Sequence, residues 1–143
     1  MKITQISVFL ENKRGRLYEV ASLLGENSIN IRALTIADSE DFGVLRMVVD
    51  KPDEAVQILK DKGFVANITD IVAVEVEDKP GGLASILKLF YESDINIEYM
   101  YAFLEKNVDK AILVFRFDDV DKAIDILSKN NIRVLRKDEI VNL

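Results

Sequence analysis

The stretch Glu11-Asn12-Lys13-Arg14-Gly15-Arg16-Leu17, followed by Ser28-Ile29-Asn30-Ile31, returns later as Glu77-Asp78-Lys79-Pro80-Gly81-Gly82-Leu83, followed by Asp94-Ile95-Asn96-Ile97. The offset is constant at 66 residues across these blocks, from Gly15 to Gly81 and from Asn30 to Asn96. Between Ile6 and Arg32, about ten of the 27 paired positions are identical, and most of the rest exchange one apolar residue for another. A period this long exceeds a solenoid unit and suits two small domains, 1–69 and 70–143. What recurs is a glycine turn that opens a helix and an Asn that follows it, so the duplication carries a candidate site as well as a fold.

Outward from the first block, Ile3 to Leu10 alternates apolar and polar residues and predicts a strand. Leu17, Val20, Ala21, Leu23 and Leu24 keep helical spacing and predict one buried face, with Gly25 to Asn30 ending the helix. Ile31 to Ala37 and Val44 to Val49 read as strands joined by a polar hairpin at Asp38-Ser39-Glu40-Asp41. Pro52 opens a second helix at a position where its missing N–H does no harm, and Lys62-Gly63 closes it before a strand at Phe64 to Ile68. The second half repeats the order. Strands are expected at Ile71–Val76, Ile97–Leu104, Ala111–Phe117 and Ile132–Leu135, with helices at Leu83–Tyr91 and Val120–Ser128 and a turn at Glu105-Lys106-Asn107. The fold class is therefore α+β: two tandem ferredoxin-like β-α-β-β-α-β domains, each an antiparallel sheet with its helices on one face. Thr69-Asp70 is the only polar break between the halves, so the domains are expected to be closely coupled.

One face of each sheet is then left without helices. Tyr99, Tyr101 and Phe103 alternate along one strand and share a face. Leu34 and Ile36 read as the core pair of the matching strand in the first repeat, and their equivalents are Met100 and Ala102. The aromatics are accordingly expected on the open face, as a surface for pairing within or between chains.

Composition narrows the function. With no Cys and no His, thiol chemistry, zinc-thiolate sites and the commonest general base are absent. A net charge of −6 opposes binding to a phosphate backbone, and the central strands lack the basic-aromatic pattern of RNA-binding sheets. No apolar run approaches the roughly 20 residues that span a bilayer. The acidic cluster Asp38, Glu40 and Asp41 reads more readily as a solvated hairpin than as a metal site, and no nucleophile is spaced to a base. The expectation is a cytoplasmic, non-enzymatic module without cofactor or metal, having no nucleic-acid or membrane partner.

A glycine turn before a helix offers unpaired first-turn N–H groups and a partial positive charge, a receptor for a carboxylate. Gly15 and Gly81 let a ligand approach the backbone. Asn12 and Asp78 either cap their turns or present an oxygen to a ligand ammonium. Asn30 and Asn96 either end their helices in a left-handed conformation or join the same site. Together these groups would hold the zwitterion of a free α-amino acid.

The run Asp78-Lys79-Pro80-Gly81-Gly82-Leu83, its helix, and Ile95-Asn96-Ile97 resemble the ACT domain, a ferredoxin-like module that binds amino acids in regulated metabolic enzymes. The first repeat, with Glu11-Asn12, Gly15, Leu17, Val20, Asn30-Ile31, Leu34-Thr35 and Arg46-Met47, resembles the small regulatory subunit of acetohydroxyacid synthase. The resemblance implies amino-acid binding at interfaces between ACT domains, in a homodimer and with a metabolic enzyme as partner, branched-chain amino acids being candidates. It assigns ligand contact to Asn12, Lys13, Arg14, Gly15, Arg16, Leu17, Asn30 and Ile31, and to Asp78, Pro80, Gly81, Gly82, Leu83, Asn96 and Ile97. Arg14 and Arg16 make the first loop basic where the second has Pro80 and Gly82, so the two sites are expected to be unequal.

Overall fold

Apolar alternation and helical spacing produce most of the elements where the sequence places them, in a computed structural model that describes residues 1–38, 41–104 and 110–142. Ser39 and Glu40 of the first expected hairpin, and the whole Glu105-Lys106-Asn107 turn, lie outside the described residues. The chain divides into two units, Thr4–Thr69 and Asp70–Leu143, the second also holding Met1–Ile3.

In the first unit, β1 (Ile3–Glu11), α1 (Arg16–Glu26), β2 (Ile31–Asp38), β3 (Phe42–Val49) and α2 (Pro52–Asp61) lead into β4 (Val65–Glu77). The strand order is β2-β3-β1-β4, with β3 antiparallel to both β1 and β2. Ile6, Val8 and Leu10 of β1 and Leu45, Met47 and Val49 of β3 face Val20 and Leu24 of α1 and Ala55 and Leu59 of α2. In the second unit β4 is followed by α3 (Gly82–Glu92), β5 (Ile97–Ala102), β6 (Lys110–Phe117) and α4 (Val120–Lys129). The order there is β4-β6-β5, again antiparallel. Val72, Val74 and Val76 pack with Phe115 and Phe117 against Ile86, Phe90, Ala123 and Leu127. The second half of each unit runs at an offset of 68 rather than 66, since β6 matches β3 and α4 matches α2 with two residues added between.

Several expectations need correction. The break at Thr69-Asp70 is absent: the strands expected at Phe64–Ile68 and Ile71–Val76 are one strand, β4. Two polar residues do not interrupt a strand when the backbone stays paired and the side chains alternate between the faces. Leu17, Ala21 and Leu83 do not join the buried stripes of their helices; Leu17 and Leu83, in the first turns, are exposed. Gly25 lies inside α1, and the left-handed residue that ends the helix is Ser28, with φ 59°. Ser28 N–H bonds to Gly25 O (3.1 Å) and Ile29 N–H to Leu24 O (2.9 Å), the paired bonds of a Schellman motif with Ile29 buried beneath it. Asp94, at φ 58°, ends α3 the same way. Asn30 and Asn96 come two residues later and are not the helix stops.

The last expected strand, Ile132–Leu135, shrinks to one bridge, Val134 with Val74. The bonds Glu75 N–H to Arg133 O (3.0 Å) and Leu135 N–H to Ala73 O (2.9 Å) flank it, and the chain then turns into a short helix, α5 (Lys137–Val141). Val134 belongs to the helix-side core, so Arg133 and Leu135 point to the other face. There Arg133 bridges Glu75 of β4 (2.6 Å) and Glu139 of α5, and Leu135 and Ile140 are buried. The face expected to be open therefore receives a helix in this unit. Tyr101 pairs with Val114 and Tyr99 with Arg116, opposite the face where Met100 pairs with Phe115. The aromatics are thus on the expected side but not exposed as a stripe: Tyr101 and Phe103 are each 8% exposed. In the first unit Leu34 packs on the core, whereas Ile36 is exposed near the hairpin.

Candidate functional site

Each glycine turn is built alike. Gly15 (φ 91°) and Gly81 (φ 83°) are the N-caps of α1 and α3, in a left-handed conformation that any Cβ would strain. As glycines they bring no side chain to cap either helix, and the first helical amides, of Arg16 and Gly82, donate to the carbonyls of Lys13 (3.3 Å) and Lys79 (2.9 Å). Around Gly15, Asn12, Lys13 and Arg14 are exposed, and Arg16 is half-buried. Asn12 N–H bonds to Asp41 O (2.9 Å), which ties the turn to the start of β3. Around Gly81, Asp78 and Pro80 are exposed and Gly82 is buried. A Cβ on Gly82 would stand 2.0 Å from the Glu77 carbonyl oxygen, so only glycine fits there. This is the physical content of the difference between Arg14-Gly15-Arg16 and Pro80-Gly81-Gly82.

A carboxylate that sequence reasoning passed over organises each turn. Glu11, at the end of β1, accepts from Arg16 (3.2 Å) and pairs with Lys13 (3.5 Å), and Arg16 also bonds Glu19 (3.1 Å). Its equivalent Glu77 pairs with Lys79 (2.7 Å) and with Lys110 (3.6 Å). The Lys79 hydrogen bond and charge, aided by Lys110, hold the Glu77 carboxyl below its ordinary value, and Glu77 raises the Lys79 ammonium in return. A carboxyl lowered in the folded state contributes stability above its unfolded value, and that contribution is lost as pH falls through the lowered one. We therefore expect Glu77, followed by NMR, to titrate below the 4.5 of a free glutamate, and Lys79→Ala to move its midpoint upward. An unmoved midpoint would show that the pair does not persist in solution. The signal was present in the repeat itself, where Glu11 and Glu77 are identical.

The Asn residues lie elsewhere. Asn30 N–H donates to Asp50 Oδ1 (3.0 Å), and Asn30 O accepts from Asp50 N–H (3.1 Å). Asn96 and Asp118 make the same pair of bonds, both at 3.1 Å. These clamps sit just past the ends of β3 and β6, while the glycine turns sit beside their starts, where Glu11 pairs with Phe42 and Glu77 with Lys110. Eight residues of strand separate the two ends, about 25 Å. Within one unit, then, Gly15 and Asn30 are not brought together, nor are Gly81 and Asn96. Ile31 and Ile97, beside the clamps, are half-buried against their cores. Asp50 and Asp118 escaped the sequence reading because they match at the 68-residue offset.

Beside each turn lies a cleft formed by the strand end, the start of the following helix and the segment after the unit's second long helix. The first, about 600 Å³, is lined by Glu11, Arg16, Tyr18 and Glu19 and walled by Phe9, Phe42, Phe64 and Val65. The second, about 480 Å³, is lined by Gly81, Gly82, Ser85 and Ile86 and by Glu75, Glu77, Lys110 and Arg133. Among the described residues no group of three acidic side chains could hold a metal ion, and no helix is long and apolar enough to cross a membrane.

Two β-α-β-β-α units, each with a glycine-capped first helix and a closing strand or bridge, define a paired ferredoxin-like protein. The model of the ACT domain pair matches residues 1–143, and the chain belongs to that family. Protein BT0572 from Bacteroides thetaiotaomicron is 40% identical, with a TM-score of 0.93, covering 100% of this chain and 98% of its own. The regulatory subunit of aspartate kinase from Thermus thermophilus, in its ligand-free form, is 16% identical with a TM-score of 0.67, covering 88% and 91%. That from Thermus flavus is 17% identical with a TM-score of 0.62, covering 88% and 90%; at these identities the likeness is one of fold. The comparison with curated proteins gave no match.

Proposed function

We propose that the chain is a non-catalytic regulatory protein that binds a free amino acid at interfaces between ACT domains and passes the binding event to an enzyme of amino-acid metabolism. The observation that carries this reading is the doubled glycine cap. Two helices begin at a left-handed glycine that brings no capping side chain, so the positive end of each helix favours a carboxylate, although Arg16 and Gly82 N–H already donate to Lys13 O and Lys79 O. Asn12 and Asp78 stand beside these amides as acceptors for an ammonium. Asn30 and Asn96, clamped at the far end, would complete a site when the glycine end of one domain meets the Asn end of another, as in a homodimer. Coupling to a partner then needs only a difference in ligand affinity between two states. Family membership and the fold shared with aspartate kinase regulatory subunits support a regulatory role rather than a catalytic one.

A thermal-shift screen against the twenty amino acids at millimolar concentration tests this. A ligand at a hundred times its Kd stabilises by about 2.7 kcal/mol, a rise of several degrees. One or a few amino acids should raise the melting temperature, and the double variant Asn12→Ala, Asn96→Ala should lose the response while keeping its circular dichroism. A flat response across all twenty rejects ligand binding and leaves the other reading, a subunit that holds a catalytic partner without a ligand of its own.

A further inference from the structure

At one end of its sheet the second unit carries Glu75, Lys110 and Arg133 on the face away from its long helices. That end is covered. The chain turns there into α5, where Glu139 bonds Arg133, and Ile140 is buried together with Leu135. The counterparts in the first unit are Phe9, Phe42 and Val65. Phe9 pairs with Val44 beside Phe42, and Val65 precedes the core residue Ala66, so alternation puts all three on the face away from α1 and α2. They are 48%, 57% and 59% exposed. Farther along the same face Gln5, Ala33 and Val48 are buried, which confines the bare surface to this end. Beyond Ala66 the chain runs on as β4 instead of turning back across it.

A soluble surface scatters its large apolar side chains; here three meet at one place. At about 200 Å² for a whole aromatic side chain, their exposed parts come to about 300 Å². Set against its own copy, the patch would bury about 600 Å² in total, short of the ~1,000 Å² that a stable interface needs. α5 of another copy does not fit it either. Its Glu139, which meets Arg133 in the second unit, would be buried unpaired against Val65. The patch therefore calls for the kind of cover that the second unit supplies for itself, with the charge removed. We propose that this end of the first sheet docks one or two turns of an amphipathic helix from a partner protein. That helix has aliphatic anchors in the places of Leu135 and Ile140 and an apolar residue in the place of Glu139. The inference goes beyond ligand binding and holds whether or not an amino acid is bound.

Photocrosslinking tests the proposal, with p-benzoylphenylalanine in place of Phe42 in the full chain, produced in its native host. An adduct with a different protein is expected, and mass spectrometry of the crosslinked peptide should read apolar residues at helical spacing. The same probe in place of Tyr91, which is 85% exposed on α3, should not trap that peptide. The peptide, synthesised, should bind the purified full chain with one equivalent in isothermal titration. Phe9→Ser, at a side chain about half exposed, should weaken binding at least about tenfold. Phe9→Glu combined with Val65→Arg, which builds the charged pair of the second unit into the first, should abolish it, circular dichroism showing that the variants stay folded. An adduct only between copies of this chain, no adduct from position 42, or an equal yield from position 91 overturns the proposal. So does a trapped peptide without apolar residues at helical spacing, or binding unchanged by the substitutions.

Discussion

Replacing Phe90 by alanine is expected to cost about 3–5 kcal/mol, the range for removing a buried phenylalanine from a core that relaxes only in part. Phe90 is 1% exposed and meets Phe115 at 5.5 Å and Phe117 at 4.8 Å between ring centroids, with Phe115 and Phe117 stacked at 5.4 Å. The first unit fills the same positions with Leu24, Met47 and Val49, so the aromatic triad belongs to the second unit alone. Rings meeting edge to face add about 0.5–1.5 kcal/mol to the area they bury, and deleting one ring removes two such contacts. Since a small domain is stable by only about 5–15 kcal/mol, the substitution should bring the second unit close to unfolding. Urea denaturation should show a large fall in the midpoint, and Phe90→Leu should recover most of it. A loss below about 1 kcal/mol would mean that the three rings are not packed as described.

Gly82→Ala comes next, with an expected cost of about 3 kcal/mol. Its Cβ would lie 2.0 Å from the Glu77 carbonyl oxygen, a backbone atom that can retreat only by moving the strand end and the turn together. Gly15 and Gly81 face open space and are limited by their left-handed backbone alone. Alanine at either should cost about 1–2 kcal/mol. Thermal denaturation of the three variants should therefore rank Gly82→Ala as the most damaging. Equal losses at all three would show that the turn yields and that conformation, not contact, sets the requirement.

Much of the fold was legible because hydrophobic periodicity is local. Val20 and Leu24, Ala55 and Leu59, and Ile6, Val8 and Leu10 are buried at the spacings that predict them. The repeat then supplied the second half. What escaped depended on tertiary context. Leu17 sits on the helical stripe but in the first turn, beyond the reach of the sheet, so apolar spacing overstated its burial. The strand at Ile132–Leu135 is reduced to one bridge ahead of α5, and Arg133 there bonds carboxylates of both Glu75 and Glu139, an arrangement spread over more than sixty residues of chain. Tyr101 was assigned the correct face by comparing repeats, yet its burial depends on what covers that face, which one strand cannot reveal.

The candidate site was legible in part for the same reason. Gly15 and Gly81 carry a backbone requirement visible in residue identity. Asn30 and Asn96 were recognised as recurring, but their partners Asp50 and Asp118 fall where the repeat has changed its offset, so a single register hides them. The unequal chemistry of the two turns could be read from Arg16 against Gly82. The unequal chemistry of the clefts required strand pairing to gather Phe9 with Phe42, and Glu77 with Lys110.

That change of offset has a practical meaning. α1 and α3 are both 11 residues long, α2 and α4 both 10, and β3 and β6 both 8. Since the halves diverged, the four long helices and these two central strands have kept their counts, and the two added residues fall between β2 and β3 or their counterparts. Loop tips are where a chain accepts insertions most readily. A protein engineer who wants to place a fluorophore-bearing peptide inside this molecule, rather than at its ends, has been shown where to cut.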